Sequence, residues 1–85
     1  MNAEEITITD NEFLRQFETT INQQLATIEY AQQERKIFLT KVFMPETLKE
    51  EGYMDIFIEA VLEEIKERNT RVMPTSPDVA KFMRK

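Results

Sequence analysis

Few side chains in this sequence could carry chemistry by type. Its 85 residues include no His and no Cys, so there is neither an imidazole base nor a thiol nucleophile. A Ser-His-Asp or Cys-His arrangement, a zinc finger and a disulfide framework are all excluded. Ser76 lacks a base to activate its hydroxyl and is a poor nucleophile. Standing just before Pro77, it better suits the cap of a short helix, its hydroxyl accepting from a backbone N–H. Glu29 beside Tyr30 could line an acceptor site, and a strand glutamate on a wet face explains the pair equally well. Lys49 could meet an anion or stand solvated. Glu50 and Glu51 could form an acidic docking surface; a carboxylate pair ahead of a helix also favours its start through the helix dipole. Gly52 is the only glycine and marks a place where the backbone needs freedom. No calcium-loop or histidine metal pattern occurs.

The charge balance narrows the partners. Lys and Arg number 11 against 16 Asp and Glu, a net charge of −5. Such a chain lacks the excess cations that displace counterions from nucleic acid or hold an anionic membrane surface. The first residues carry Glu4 and Glu5 and no apolar run, unlike a signal peptide. The densest apolar stretch, Ile56-Phe57-Ile58, is closed by Glu59, far short of a membrane span. The expectation is a soluble cytoplasmic protein, monomeric or weakly dimeric. Its length suits one domain, residues 1–85, with 1–11 and 84–85 expected to be flexible.

The elements that must position these residues are clearest in the second half. A helix is predicted from about Gly52 to Arg68. Met54, Phe57, Ile58, Val61 and Ile65 follow the three-and-four spacing of one buried face. Asp55, Glu59, Glu63 and Glu67 recur every four residues on the other side, as a solvated face does. Thr70 to Met73 reads as a short strand stopped by Pro74. Pro77 then opens a short helix through Val79, Phe82 and Met83.

The first half is ambiguous. Leu25 to Tyr30 alternates as a strand with Ala26, Ile28 and Tyr30 on one face. Lys36 to Met44 is nearly continuous in apolar residues and reads as a central strand covered on both faces. Within it, Phe38, Thr40, Val42 and Met44 oppose Ile37, Leu39, Lys41 and Phe43. Phe13 to Ile21 can alternate too, yet Phe13, Phe17, Ile21, Leu25 and Ile28 are also spaced for one helical face. The β-branched run Thr19-Thr20-Ile21 favours strands. Turns are then expected at 22–24 and 32–35. The fold class is α+β, layered: antiparallel N-terminal strands, a right-handed β-α-β unit and a short C-terminal helix.

From Glu12 to Arg84 the chain resembles the short, single-domain branch of the GNAT (GCN5-related N-acetyltransferase) superfamily. The matching features are the Leu25–Tyr30 strand, the hydrophobic strand ending at Pro45, Leu48 through Gly52, the helix with Glu59-Ala60-Val61-Leu62, and the Val72-Met73-Pro74…Pro77 tail, in the family's order. The resemblance implies a GNAT-like fold and acetyl transfer from acetyl-CoA (acetyl-coenzyme A) to an amine. It implies that backbone groups of Val42, Phe43 and Met44 hold the pantetheine arm, and that Lys49, Gly52, Tyr53 and Met54 face the pyrophosphate. It nominates no catalytic residue.

The family pattern at that turn is Gln/Arg-x-x-Gly-x-Gly/Ala, whose N–H groups meet the pyrophosphate at a helix N-terminus. Here it reads Lys49-Glu50-Glu51-Gly52-Tyr53-Met54. This branch usually has Arg-Gly-Lys-Gly, so Glu50 replaces a Gly and Glu51 a Lys. A charge pair at 4 Å is worth about 1 kcal/mol in water and about 4 at an effective dielectric of 20. Two acids could therefore offset a helix dipole worth about 0.3–1 kcal/mol, and Met54 would add bulk. Lys41-Val42-Phe43-Met44 replaces the branch's His-Thr-Glu-Val, Ser76 its Cys and Asp78 its aromatic. These departures imply weak or lost acetyl-CoA binding. The alternative is a non-catalytic interaction module, a pseudoenzyme whose partner uses a sheet edge or apolar patch. A third reading is an all-α interaction protein with Phe13 to Ile28 helical.

Overall fold

The computed structural model describes residues 6–84. The order of elements is β1 (Thr9–Asn11), β2 (Gln16–Ile21), β3 (Gln24–Gln33), β4 (Lys36–Phe43), α1 (Glu46–Glu50), α2 (Tyr53–Glu67), β5 (Arg71–Pro74) and α3 (Pro77–Met83). The strands form one sheet in the order β1-β2-β3-β4-β5. The first four pair antiparallel, and β5 pairs parallel to β4. The expected α+β class and β-α-β unit are therefore present, and the all-α reading is excluded. Residues 9–11 form the edge strand of the sheet; residues 1–5 and 85 lie outside the described residues.

The β2–β3 turn consists of Asn22 and Gln23, both left-handed at φ 51° and 66°. Two successive positive angles match the right-handed twist of flanking strands, so a tight hairpin forms without glycine. The β3–β4 turn is Glu34-Arg35, with Glu34 at φ 53°.

Alternation decides which face is buried. Phe17, Thr19 and Ile21 of β2 and Ala26, Ile28 and Tyr30 of β3 point to the helices, where Phe57, Ile58, Val61 and Ile65 of α2 meet them. Strand β4 breaks the rule. Tyr30 pairs with Leu39 but Glu29 pairs with Lys41, leaving Thr40 as an extra residue. Its hydroxyl donates to the Glu29 carbonyl at 3.2 Å. This bulge shifts the alternation by one. Ile37 and Leu39 face the core before it; Val42 and Met44 face the core after it. The doubly covered strand expected from the apolar run is thus a bulged strand with one buried face, and Phe43 is left 56% exposed on the other.

Helix α1 is an element the apolar periodicity does not signal: Pro45 opens it, Leu48 is fully buried, and the Thr47 hydroxyl donates to Gln24 Oε1 at 2.9 Å. Ser76 does precede α3, but its hydroxyl makes no cap hydrogen bond. Among the described residues no helix is long and apolar enough to cross a membrane.

Candidate functional site

The carboxyl end of β4 is where the sheet opens. Pairing of β4 with β5 runs only from Lys36–Arg71 to Leu39–Pro74. Pairing with β3 continues to Phe43. The separation has local causes. Pro74 has no N–H to continue the ladder. The Thr75 N–H donates to the Met73 carbonyl at 3.0 Å, a tight bend. The Leu39 carbonyl then receives the Ser76 N–H at 2.7 Å and the Thr75 hydroxyl at 3.0 Å. Pro77 starts α3 and carries the chain away. From Thr40 to Phe43 the β5-side edge of β4 consequently has no strand partner among the described residues. In an antiparallel strand every second residue turns its N–H and C=O away from its partner, so main-chain groups face this opening. The bulge at Thr40 adds twist where the split begins.

The turn into α2 lies at the same end of the β-α-β unit. Glu51 N–H donates to the Thr47 carbonyl at 3.2 Å and Gly52 N–H to that of Lys49 at 3.1 Å, closing α1. Gly52 then takes φ 88°, ψ 16° as the residue before α2. A Cβ there would meet nothing within 4 Å. The glycine is required by the backbone angle, not by crowding. Having no side chain, it leaves the first-turn N–H groups of α2 without a side-chain cap.

The residues nominated from sequence differ in what they can offer. Met44 is 4% exposed and Val42 packs against the core, so both can reach the opening only through their main chain. Phe43 is exposed. Tyr53 and Met54 also pack against the core. The bulk of Met54 is therefore partly absorbed by packing, which weakens the steric objection raised by its type. Lys49 is solvated and lies 3.9 Å from Glu46 across one turn. Glu50 and Glu51 are exposed. Residues 46–55 thus hold four carboxylates and one ammonium, and the acidic character read from the sequence stands. Two cavities, of about 450 and 430 Å³, lie elsewhere, the first between Ile6, Glu18 and Leu25 and the second at the far end of α2.

The best-connected polar cluster was not legible. The Tyr30 hydroxyl donates to Asp10 Oδ1 at 2.6 Å and Arg68 Nη1 to Asp10 Oδ2 at 2.8 Å. Arg68 also reaches Glu64 at 3.3 Å, and its guanidinium lies 5.5 Å from the Phe17 ring centre. The Phe17 and Tyr30 rings pack with centres 4.9 Å apart, tilted by 38°. Burial, then the bond to Asp10, push the Tyr30 phenol up to about 12. The bond to Asp10 also raises the Arg68 guanidinium above its ordinary value. Tyr30 is accordingly a neutral donor latching β1 to the core. Tyr30 of β3 and Arg68, just past α2, lie 20 and 58 positions from Asp10 of β1, so no local pattern announces them. Among the described residues no cluster of His, Cys, Asp or Glu could hold a metal.

A family model for GCN5-related N-acetyl-transferases matches residues 16–85. No curated protein and no solved structure matches the chain.

Proposed function

Because the chain belongs to the GCN5-related N-acetyl-transferase family, we propose that it holds acetyl-CoA, with low affinity, along the open edge of β4 and at the start of α2. The observation that carries this reading is the end of β4–β5 pairing at Leu39 while β4 runs on to Phe43. An extended amide-bearing arm can hydrogen-bond to such an edge as a strand would. Main-chain groups of Val42, Phe43 and Met44 would hold it. The first-turn N–H groups at Tyr53 and Met54, opened by left-handed Gly52, would meet the pyrophosphate, with Lys49 as the nearby cation. The residues fit the arm well and the phosphates less well, because Glu50 and Glu51 flank the turn.

The bound group would supply an acetyl thioester open to attack by an amine. The chain supplies orientation. Holding two reactants in register is worth up to about 7–11 kcal/mol, and it needs no titrating side chain. With no histidine or cysteine and Tyr30 held by Asp10, the proton of the acceptor amine would pass to water or to a carboxylate.

A calorimetric and NMR titration with acetyl-CoA tests the reading. Shifts at residues 40–44 and 49–54 with measurable heat are expected. Neither heat nor shifts at millimolar ligand would remove the cofactor. That outcome would favour the second reading, a non-catalytic interaction module, which the exposed acids at 50 and 51 also support.

A further inference from the structure

The sheet is covered on one side only. Leu48 of α1, the stripe of α2 from Phe57 to Ile65 and Val79 of α3 all join one buried cluster with the inward residues of the strands. Among the described residues no helix packs on the other face. Alternation and register fix what that face presents. Strand β3 contributes Thr27, Glu29 and Ala31, and β4, on either side of its bulge, contributes Phe38, Lys41 and Phe43. Leu25 lies two positions before Thr27 on the same face, and Met73 of β5 stands beside Phe38. Phe43 is 56% and Leu25 48% exposed, and Phe38 and Met73 are half-buried. An apolar band of this kind on an uncovered sheet marks an interaction surface.

The pattern on this face is complementary to itself. Strand β3 is the low one: Ala31 is small, and Thr27 is only 7% exposed. Directly opposite them on β4 stand the large Phe38 and Phe43. Between these two rows Glu29 is the register partner of Lys41. Both are exposed, and neither is in an ion pair among the described residues. A two-fold axis running along the strands, midway between β3 and β4, lays β3 of one copy over β4 of a second. The phenyl rings then rest on the small residues, and each Glu29 meets a Lys41 across the interface as well as beside it. A two-fold axis crossing the strands at this row would set Glu29 on Glu29 and Lys41 on Lys41, an arrangement that like charges oppose. The favoured axis also keeps the two sheets in the aligned packing that twisted sheets adopt face to face.

We propose that the chain forms a weak isologous dimer through this open face, with its axis between β3 and β4. Strand spacing and rise give the face about 19 Å by about 27 Å, or roughly 500 Å² per copy. The resulting total of roughly 1,000 Å² is at the low end for a specific interface. A dimer dissociation constant of about 10–500 µM is therefore expected. The proposal does not rest on acetyl-CoA, and its test is made without it.

Sedimentation equilibrium of the intact chain, over concentrations bracketing that constant, is expected to show reversible monomer and dimer. Glu29→Lys alone leaves only cations at the centre of the interface, and Lys41→Glu alone leaves only anions. Each is expected to weaken self-association at least about tenfold, with unchanged circular dichroism, both positions being exposed. Mixed in equal amounts, the two variants oppose cations to anions and are expected to associate at least as tightly as the original chain. A chain that stays monomeric up to about 1 mM overturns the proposal and leaves the face to a partner of another sequence. Self-association unchanged in either single variant also overturns it, because the contact then lies elsewhere. So does a mixture of the two folded variants that remains monomeric, because the axis would then not pair Glu29 with Lys41.

Discussion

Tyr30 provides a pH-dependent measure of how firmly β1 is latched. Its phenol titrates near 12 in the folded chain against 10.0 ordinarily, through burial and then through its bond to Asp10. A folded value above the unfolded one means that stability is fully present below pH 10 and is lost as pH rises towards 12. The interval corresponds to roughly 2–3 kcal/mol, about 2 of which would be gone by about pH 11.5. Tyr30→Phe removes the titration and keeps the ring on Phe17. At about pH 8 it is expected to cost about 1–3 kcal/mol, the worth of a hydrogen bond to a charged group. The difference between the two proteins should then shrink with rising pH and approach zero or change sign by about pH 11.5. Urea denaturation of both proteins at several pH values measures this, and titration of every other group cancels in the comparison. A difference that stays constant from about pH 8 to about 11.5 would refute the placement of Tyr30 as a buried donor to Asp10.

Other expectations are simpler. Gly52→Ala should destabilise by about 1–2 kcal/mol through backbone strain alone, because its Cβ meets nothing, and Gly52→Asn by less; equal effects in chemical denaturation would contradict this. Glu50→Gln with Glu51→Gln should tighten acetyl-CoA binding several-fold at low salt, the gain fading at high salt, as calorimetry would show. Ser76→Ala should cost less than the roughly 1 kcal/mol typical of a lost cap, since its hydroxyl caps nothing. Phe57→Ala, in a fully buried position, should cost about 3–5 kcal/mol and leave little folded protein at 37 °C by thermal melt.

The sequence by itself determined α2, β5 and α3. The α2 stripe of Phe57, Ile58, Val61 and Ile65 recurs with the helix period, and Pro74 and Pro77 impose their breaks through φ and the missing N–H. It also determined that no imidazole or thiol chemistry is available, and it marked Gly52 as a place where the backbone needs freedom ahead of a helix. Its resemblance to the GNAT branch was matched by the family model over 16–85. Tertiary structure decided the rest. Whether Phe13 to Ile28 formed strands or a helix depended on cross-strand partners, since both periods fit the same apolar residues. The bulge at Thr40 reassigned Val42 and Phe43 between faces, and a one-residue slip in alternation leaves no mark in composition. The opening between β4 and β5 came from where two distant segments stop pairing, and the latch of Asp10, Tyr30 and Arg68 joins three elements. Periodicity reports only what neighbours along the chain have in common; contacts between distant residues exist only once the chain has closed around its core.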